Sequence, residues 1–339
     1  MYLLLNHVKE GRTIMLVCQF CGATGSLEDG EFQIDRYSRG YWCETCDGYT
    51  YLENTHDQHR FTLILEEKRA AETPLISSQK KFNKRLSPYR YPGGKSKIID
   101  YLYLHLQQTK SKKLISPFTG GGSFELAMLE AGIVEELHLN DLDTGVYSLW
   151  WTIKHMPYEI IDRIQKIRPT HNDYFNAQQI IFNDYKGMNI FDAAWCSLLV
   201  NRLSYSGIFK ANPLGGKHGS LSKLLARWNP HELVKRIEKI HDLSDRIEIT
   251  NVDAVELIEE KYWENHATIF IDPPYVNKGK MLYHRYYTRE DHIRLAMLLD
   301  SLYKGCPGAD ILVTYDYNEW LYHLYEYPET EKVGRVYSA

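Results

Sequence analysis

The sequence predicts an α/β protein built on a parallel sheet, preceded by a small metal-binding module. Three observations carry this expectation. From Ser87 onward, apolar runs of strand length alternate with helical patterns. One of these strands passes through a glycine turn, Thr119-Gly120-Gly121-Gly122-Ser123, directly into a helix. Near the start stand two Cys-x-x-Cys pairs.

In chain order, residues 1–65 are rich in Cys, Gly and Tyr, with short strand-like pieces at 13–17 and 49–52. The pairs are Cys18-Gln19-Phe20-Cys21 and Cys43-Glu44-Thr45-Cys46, with Gly22 and Gly48 close behind them. Thiolates two residues apart can grip one ion, and small residues let backbone amides turn toward the sulfurs. Four thiolates close a tetrahedral site with no open position, so the expected metal is a structural zinc in a zinc ribbon. Free or redox-active cysteines are the alternative. Arg36, Tyr37, Arg39, Tyr41 and Trp42 between the pairs suit either DNA contact or the solvated surface of a docking cap. Residues 66–86 are charged and polar, and read as a linker with a basic end at Lys80, Lys81, Lys84 and Arg85.

Residues 87–339 form the expected α/β domain. The patterns predict a helix at 97–106, a strand at 113–117, and a helix at 123–131 stopped by Gly132. A strand follows at 136–139. Residues from about 150 to 246 are mostly helical and interrupt the alternation as an insertion. Strands resume at 247–250 and 268–271. Thr288-Arg289-Glu290-Asp291 resembles a capping box that opens a helix to about 303, and a strand covers 310–314.

The 339 residues are 44% hydrophobic and 25% charged, a globular balance, with net charge −4. A global basic field for nucleic acid is therefore absent, and any such contact must use local patches. No run is apolar enough to span a membrane. Met1 to Leu5 lacks a basic flank and its apolar run stops at Asn6-His7, so no signal peptide is expected. A cytoplasmic protein is the expectation, with a monomer as the default.

Asp272-Pro273-Pro274-Tyr275 follows the apolar strand 268–271. In open α/β sheets, ligands bind where such strands end. A carboxylate, a rigid backbone and an aromatic face suit an exocyclic amine on a flat ring, which points to a nucleobase. A plain Pro-Pro turn is the bland alternative. The glycine turn permits close backbone approach to a ligand. Asn140-Asp141 ends the next strand, where a carboxylate can take both hydroxyls of a ribose, or else cap a helix. Tyr91-Pro92-Gly93-Gly94-Lys95 forms a rigid loop from which Lys95 can reach a carboxylate. Asp253 ends a further strand, and suits an adenine amine or a helix cap.

YPGGK at 91–95, PFTGGGSF at 117–124, LND at 139–141, VD at 252–253 and IDPPY at 271–275 occur in the motif order of Dam-like adenine-specific DNA methyltransferases of the DPPY type. The chain resembles that family from Ser87 onward, and the segment from Asn201 to Lys210 is similar to its target-recognition region. The resemblance implies a Rossmann-like domain that binds S-adenosylmethionine. Tyr91, Gly93, Gly94, Lys95, Phe118, Gly120, Gly122, Ser123, Phe124, Asp141 and Asp253 are the expected cofactor residues. DNA is the implied partner, met by Arg202, Tyr205, Ser206, Lys210, Lys217 and Arg227 of the insertion. Tyr205 would wedge at a vacated base position and Lys210 would meet a base edge.

By the same resemblance, the Asp272 carboxylate and the Pro273 carbonyl would hold the two hydrogens of adenine's amine. Tyr275 would stack on the flipped base. Transfer would be direct, with no covalent enzyme intermediate. Methylation of cytosine's exocyclic amine uses the same geometry, and a non-catalytic DNA-binding protein on this fold is a further alternative. Carbon-5 methylation is disfavoured, since it needs a cysteine just after a proline. Cys306 instead precedes Pro307, and Cys196 sits in an apolar run. In one respect the chain departs from the family, which continues into a last apolar strand. The residues from Gly334 to Ala339 show none, so the expectation is either a missing strand or another element over that sheet edge.

Overall fold

The computed structural model describes residues 15–17, 21, 23–26, 32–34, 40–46, 48–51, 60–68, 78, 80–109, 111–264, 266–276, 279–305, 308–325 and 328–335. The calls on Cys18, Arg36, Tyr37, Arg39 and Cys306 lie outside them. In the N-terminal part, β1 (Met15–Val17) and β2 (Thr24–Ser26) pair antiparallel. β3 (Phe32–Ile34), β4 (Gly40–Cys43) and β5 (Gly48–Tyr51) make a three-stranded antiparallel meander. Cys21 lies in the turn between β1 and β2, Cys43 ends β4, and Cys46 lies in the turn into β5.

Seven further strands form one sheet: β6 (Phe61–Lys68), β7 (Lys113–Ser116), β8 (Glu136–Asn140), β9 (Ile247–Thr250), β10 (Ala267–Ile271), β11 (Asp310–Asp316) and β12 (Glu329–Arg335). Their order is β12-β6-β11-β10-β7-β8-β9, and every neighbouring pair is parallel. All carboxyl ends therefore lie along one edge. The chain moves from β7 outward to β8 and β9, then restarts at β10 on the other side of β7. That reversal opens a crevice between the ends of β7 and β10.

Side-chain alternation sends the two faces of the sheet into two cores. Ile64, Phe270 and Leu312 join the core under the helices Ile99–Thr109 and Ser123–Glu130. Leu63, Leu65, Ile269, Ile271, Ile311 and Val313 join the opposite core under Ala254–Lys261 and Arg289–Lys304. Thr288 and Asp291 form the expected capping box at the start of the last of these. The insertion is helical as expected but starts earlier, with Thr144–His155, and runs to Pro230–His241.

Two expectations about the sheet are corrected. The sequence places residues 61–65 in the ribbon and 66–86 in a linker, yet 61–68 is a single strand between β11 and β12. Phe61 to Glu66 are all buried, as a strand covered on both faces requires. The run Glu66-Glu67-Lys68-Arg69 disguised its end. A last strand is also present, since β12 forms the sheet edge beyond β6. Its Thr330-Glu331-Lys332 stretch is polar, which suits an exposed edge and hides the strand from a search for apolar runs. Among the described residues, no helix is long and apolar enough to cross a membrane.

Candidate active site

Asp272 leaves the end of β10, between β7 and β11. Its Oδ1 accepts a hydrogen bond from Thr314 Oγ1 on β11 at 2.9 Å and lies 2.6 Å from Lys95 Nζ. Lys95 opens a 3₁₀ turn, Lys95–Lys97, and its ammonium also donates to the Gly93 carbonyl at 3.2 Å. Glu66 Oε1 lies 2.8 Å from the same ammonium. Lys95 thus reaches two protein carboxylates, as its place in the rigid loop suggested it could. Burial pushes the Asp272 carboxyl above its ordinary range, Lys95 pulls it down, and Glu66 pushes it up.

In front of Asp272, a cavity of about 250 Å³ occupies the crevice at the carboxyl edge. One wall is the glycine turn after β7. Gly120 and Gly122 both have positive φ, +47° and +56°. A Cβ on Gly120 would stand 2.7 Å from the Tyr91 ring, so only glycine lets Tyr91 lie against the turn. Gly120 N–H donates to Asp141 Oδ2 at 2.8 Å, and Asp143 N–H donates to Oδ1 at 2.9 Å. Burial and then the neighbouring Asp143 push the Asp141 carboxyl up to about 7. Asp143, not Asp141, caps the next helix, accepting from the N–H groups of Gly145 and Val146. Asp253 does cap its helix, accepting from Val255 and Glu256, while still lining the cavity.

The family profile of the D12 class N6 adenine-specific DNA methyltransferases matches residues 91–338. The chain belongs to that family. The Type II methyltransferase M.MjaIII of Methanocaldococcus jannaschii is 22% identical over 271 residues, covering 72% of this chain and 89% of that protein. This methyltransferase therefore has an α/β methyltransferase fold and is an enzyme that methylates adenine in DNA. S-adenosylmethionine is the cofactor the family implies.

Of the expected cofactor residues, Tyr91, Gly94, Lys95, Phe118, Gly120, Gly122, Ser123, Asp141 and Asp253 of the methyltransferase line the cavity. Phe124 and Gly93 do not. Phe124 is fully buried with its ring 4.8 Å from Phe270, so its side chain belongs to the core. Gly93, at φ +83°, makes room for the hydroxyls of Tyr275 and Tyr283. Asp272 and Pro274 line the cavity, but Pro273 and Tyr275 do not. The Tyr275 ring is buried edge-on against Tyr283, with centroids 6.1 Å apart.

Several residues around Asp272 and the cavity escaped the sequence reading. Glu66 and Thr314 grip Lys95 and Asp272 from strands where no motif marks them. Tyr283, Arg285, Tyr286, Tyr287 and Arg294 form the outer wall of the cavity. Asp143 had a usable signal, as an acid placed just before a helix start.

On the insertion, Tyr205 stands 57% exposed on a turn where Ser206 and Gly207 both have positive φ. A bridge between Ser204 and Pro213 closes that turn. Lys210 Nζ donates to the Lys280 carbonyl at 2.9 Å, tying the insertion to the segment after Tyr275. Lys217 and Arg227 are exposed. Arg202 differs from the expectation of a DNA contact. It is buried, and its Nε and Nη2 donate to the Arg227 carbonyl at 3.1 and 2.6 Å. Burial and the nearby Arg236, Arg90 and Arg227 lower its pKa to about 10. Its guanidinium is spent holding the loop. At the N-terminus, the Sγ atoms of Cys21, Cys43 and Cys46 all lie within 4.8 Å of one another, which fits three ligands of one ion.

Proposed function

We propose that this methyltransferase moves a methyl group from S-adenosylmethionine to N6 of an adenine flipped out of duplex DNA, in one direct step at a specific sequence. One observation carries the reading. Among the described residues, Thr314 and Lys95 meet the Asp272 side chain at Oδ1, and the residue lines the cavity, which favours Oδ2 as the acceptor of a hydrogen from an amine.

The pocket opposite Asp272 fits the cofactor on this chain's own features. The Asp141 carboxyl, pushed up to about 7, gains by accepting hydrogen bonds from ribose hydroxyls. The glycine turn allows close backbone approach. When bound, S-adenosylmethionine supplies the electrophilic methyl group. Asp272 and the Pro273 carbonyl each accept one amine hydrogen, which pyramidalises the nitrogen and frees its lone pair from the ring. The proton lost after transfer goes to Asp272 or to water. Flipping costs a few kcal/mol of unstacking, which aromatic stacking offsets in part. Tyr283 lines the cavity with the Tyr275 ring packed edge-on behind it, so Tyr283 offers the aromatic surface to the base and Tyr275 supports it.

Tyr205, Ser206, Lys210, Lys217 and Arg227 are assigned to DNA, with Tyr205 as the wedge and Lys210 at a base edge. Arg202 supports that loop from within. Cys18 completes a structural zinc site with Cys21, Cys43 and Cys46. The enzyme acts in the cytoplasm as a monomer.

Asp272→Ala tests the central step. Methyl transfer from labelled cofactor to DNA should be lost, while calorimetry shows cofactor binding retained. Transfer at the wild-type rate would remove Asp272 from the mechanism. Single-molecule sequencing of a methylated mixed-sequence genome should show one modified motif, and scattered modification would refute site specificity.

A further inference from the structure

A second buried carboxylate stands behind the catalytic aspartate, on a strand that precedes the span matched by the family profile. Glu66 sits near the end of β6, and its Oε1 is 2.8 Å from Lys95 Nζ. The same nitrogen is 2.6 Å from Asp272 Oδ1. The side chains are 0%, 3% and 19% exposed in the order Glu66, Lys95, Asp272. The row therefore runs from a sealed carboxylate, through a sealed ammonium, to a carboxylate that meets the cavity.

The order of charges matters. With Lys95 alone, Asp272 would belong to a neutral pair, and the ammonium would draw charge from the oxygen that must accept an amine hydrogen. A second carboxylate on the same ammonium leaves the trio with one net negative charge. Burying three charges is costly, and apolar residues at these places would commonly be no less stable. Such a row at the carboxyl edge points to function.

We infer that Glu66 is a positioning residue for methyl transfer: it fixes Lys95 behind Asp272 and shares its charge, so that Asp272 faces the amine as a strong acceptor. The inference rests on the reading of Asp272 given above. Other groups lie around the row, among them the Tyr275 ring, 5.7 Å from Lys95 Nζ. Thr314 and Asp316 lie on β11, and Asp316 pairs in register with Glu66. Glu125, on the helix after the glycine turn, is held by Ser116 Oγ at 2.6 Å. Burial pushes Asp316 up to about 6 and Glu125 up to about 7.

Glu66→Gln keeps the shape and leaves Lys95 paired with Asp272. The test is the single-turnover methylation rate of the full chain against pH, with saturating DNA and cofactor, beside cofactor affinity by calorimetry. Glu66 raises the Asp272 pKa, so its loss keeps Asp272 ionised to lower pH. The acid limb should therefore move down in pH. The plateau rate should fall roughly tenfold, with cofactor affinity kept within about twofold. An unchanged rate and limb would overturn the inference. So would a rate that falls only in step with cofactor affinity or folded fraction, the signature of a scaffold residue. Lys95→Met supplies a second measurement. The double variant with Glu66→Gln should be no slower than Lys95→Met alone, and an additive loss would overturn the inference. If Asp272→Ala still transfers methyl, the reading of Asp272 fails. If Asp272→Ala is inactive and Glu66→Gln behaves as wild type, only Glu66 loses its role.

Discussion

Cofactor affinity should weaken roughly tenfold between about pH 8 and about pH 6, through Asp141. Two backbone N–H groups already hold its carboxylate, one to each oxygen. Burial and Asp143 nonetheless lift its pKa to about 7. If ribose hydroxyls bind only the ionised form, the apparent dissociation constant grows with the protonated fraction. That fraction is about a tenth one unit above the pKa and about nine-tenths one unit below it, hence the tenfold change. For the free protein the sign is opposite. A carboxyl whose folded pKa is raised stabilises the fold at low pH, and that stability is lost as pH climbs from about 4 toward 7. Calorimetric titration with cofactor at a series of pH values measures the first trend, and thermal melts of the free protein measure the second. Asp141→Asn should bind cofactor weakly with the Asp141-dependent pH slope removed. A wild-type affinity flat across this range, or an Asn variant that binds as tightly as wild type, would refute the role of Asp141.

The other predictions separate core from surface. Phe124→Ala should cost about 3–5 kcal/mol in a urea melt, because it empties a fully buried ring site beside Phe270; a change under about 1 kcal/mol would return Phe124 to the pocket. Lys217→Ala and Arg227→Ala should each flatten the dependence of DNA affinity on salt by about one counterion, whereas Arg202→Ala should lower the melting temperature and leave that slope alone. Metal analysis should find one zinc per chain, and Cys43→Ser should lose it; metal retained at full occupancy in that variant would contradict the four-cysteine site.

Much of the catalytic sheet was legible because its signals are local. The run at 247–250 and the Thr288 to Asp291 box need only neighbouring residues to be read. The ordered motifs located the glycine turn, Asp141 and Asp272 for the same reason. Side-chain direction was not legible. Phe124 turns into the core one position after Ser123 faces the cavity, a difference set by the helix's packing on β10. Arg202 looked like a surface charge, because nothing nearby in sequence announces that the carbonyls of Pro88 and Arg227 surround it. Glu66 escaped because its partner Lys95 comes from a separate loop, and their contact exists only once the sheet has formed.

β6 gives the synthesis of this protein an unusual order. The strand is made early, yet both its neighbours in the sheet are made late: Arg60 N–H bonds Asp310 across a separation of 250 residues. Until β11 and β12 leave the ribosome, β6 has no strand to pair with in the sheet, a setting in which chaperones commonly act. Pairing at such long range is slow to nucleate. The charge row behind Asp272 is likewise the last part of the active edge to close. A chain that stops short of β11 therefore has its glycine turn but lacks Thr314 behind Asp272, and it should not methylate.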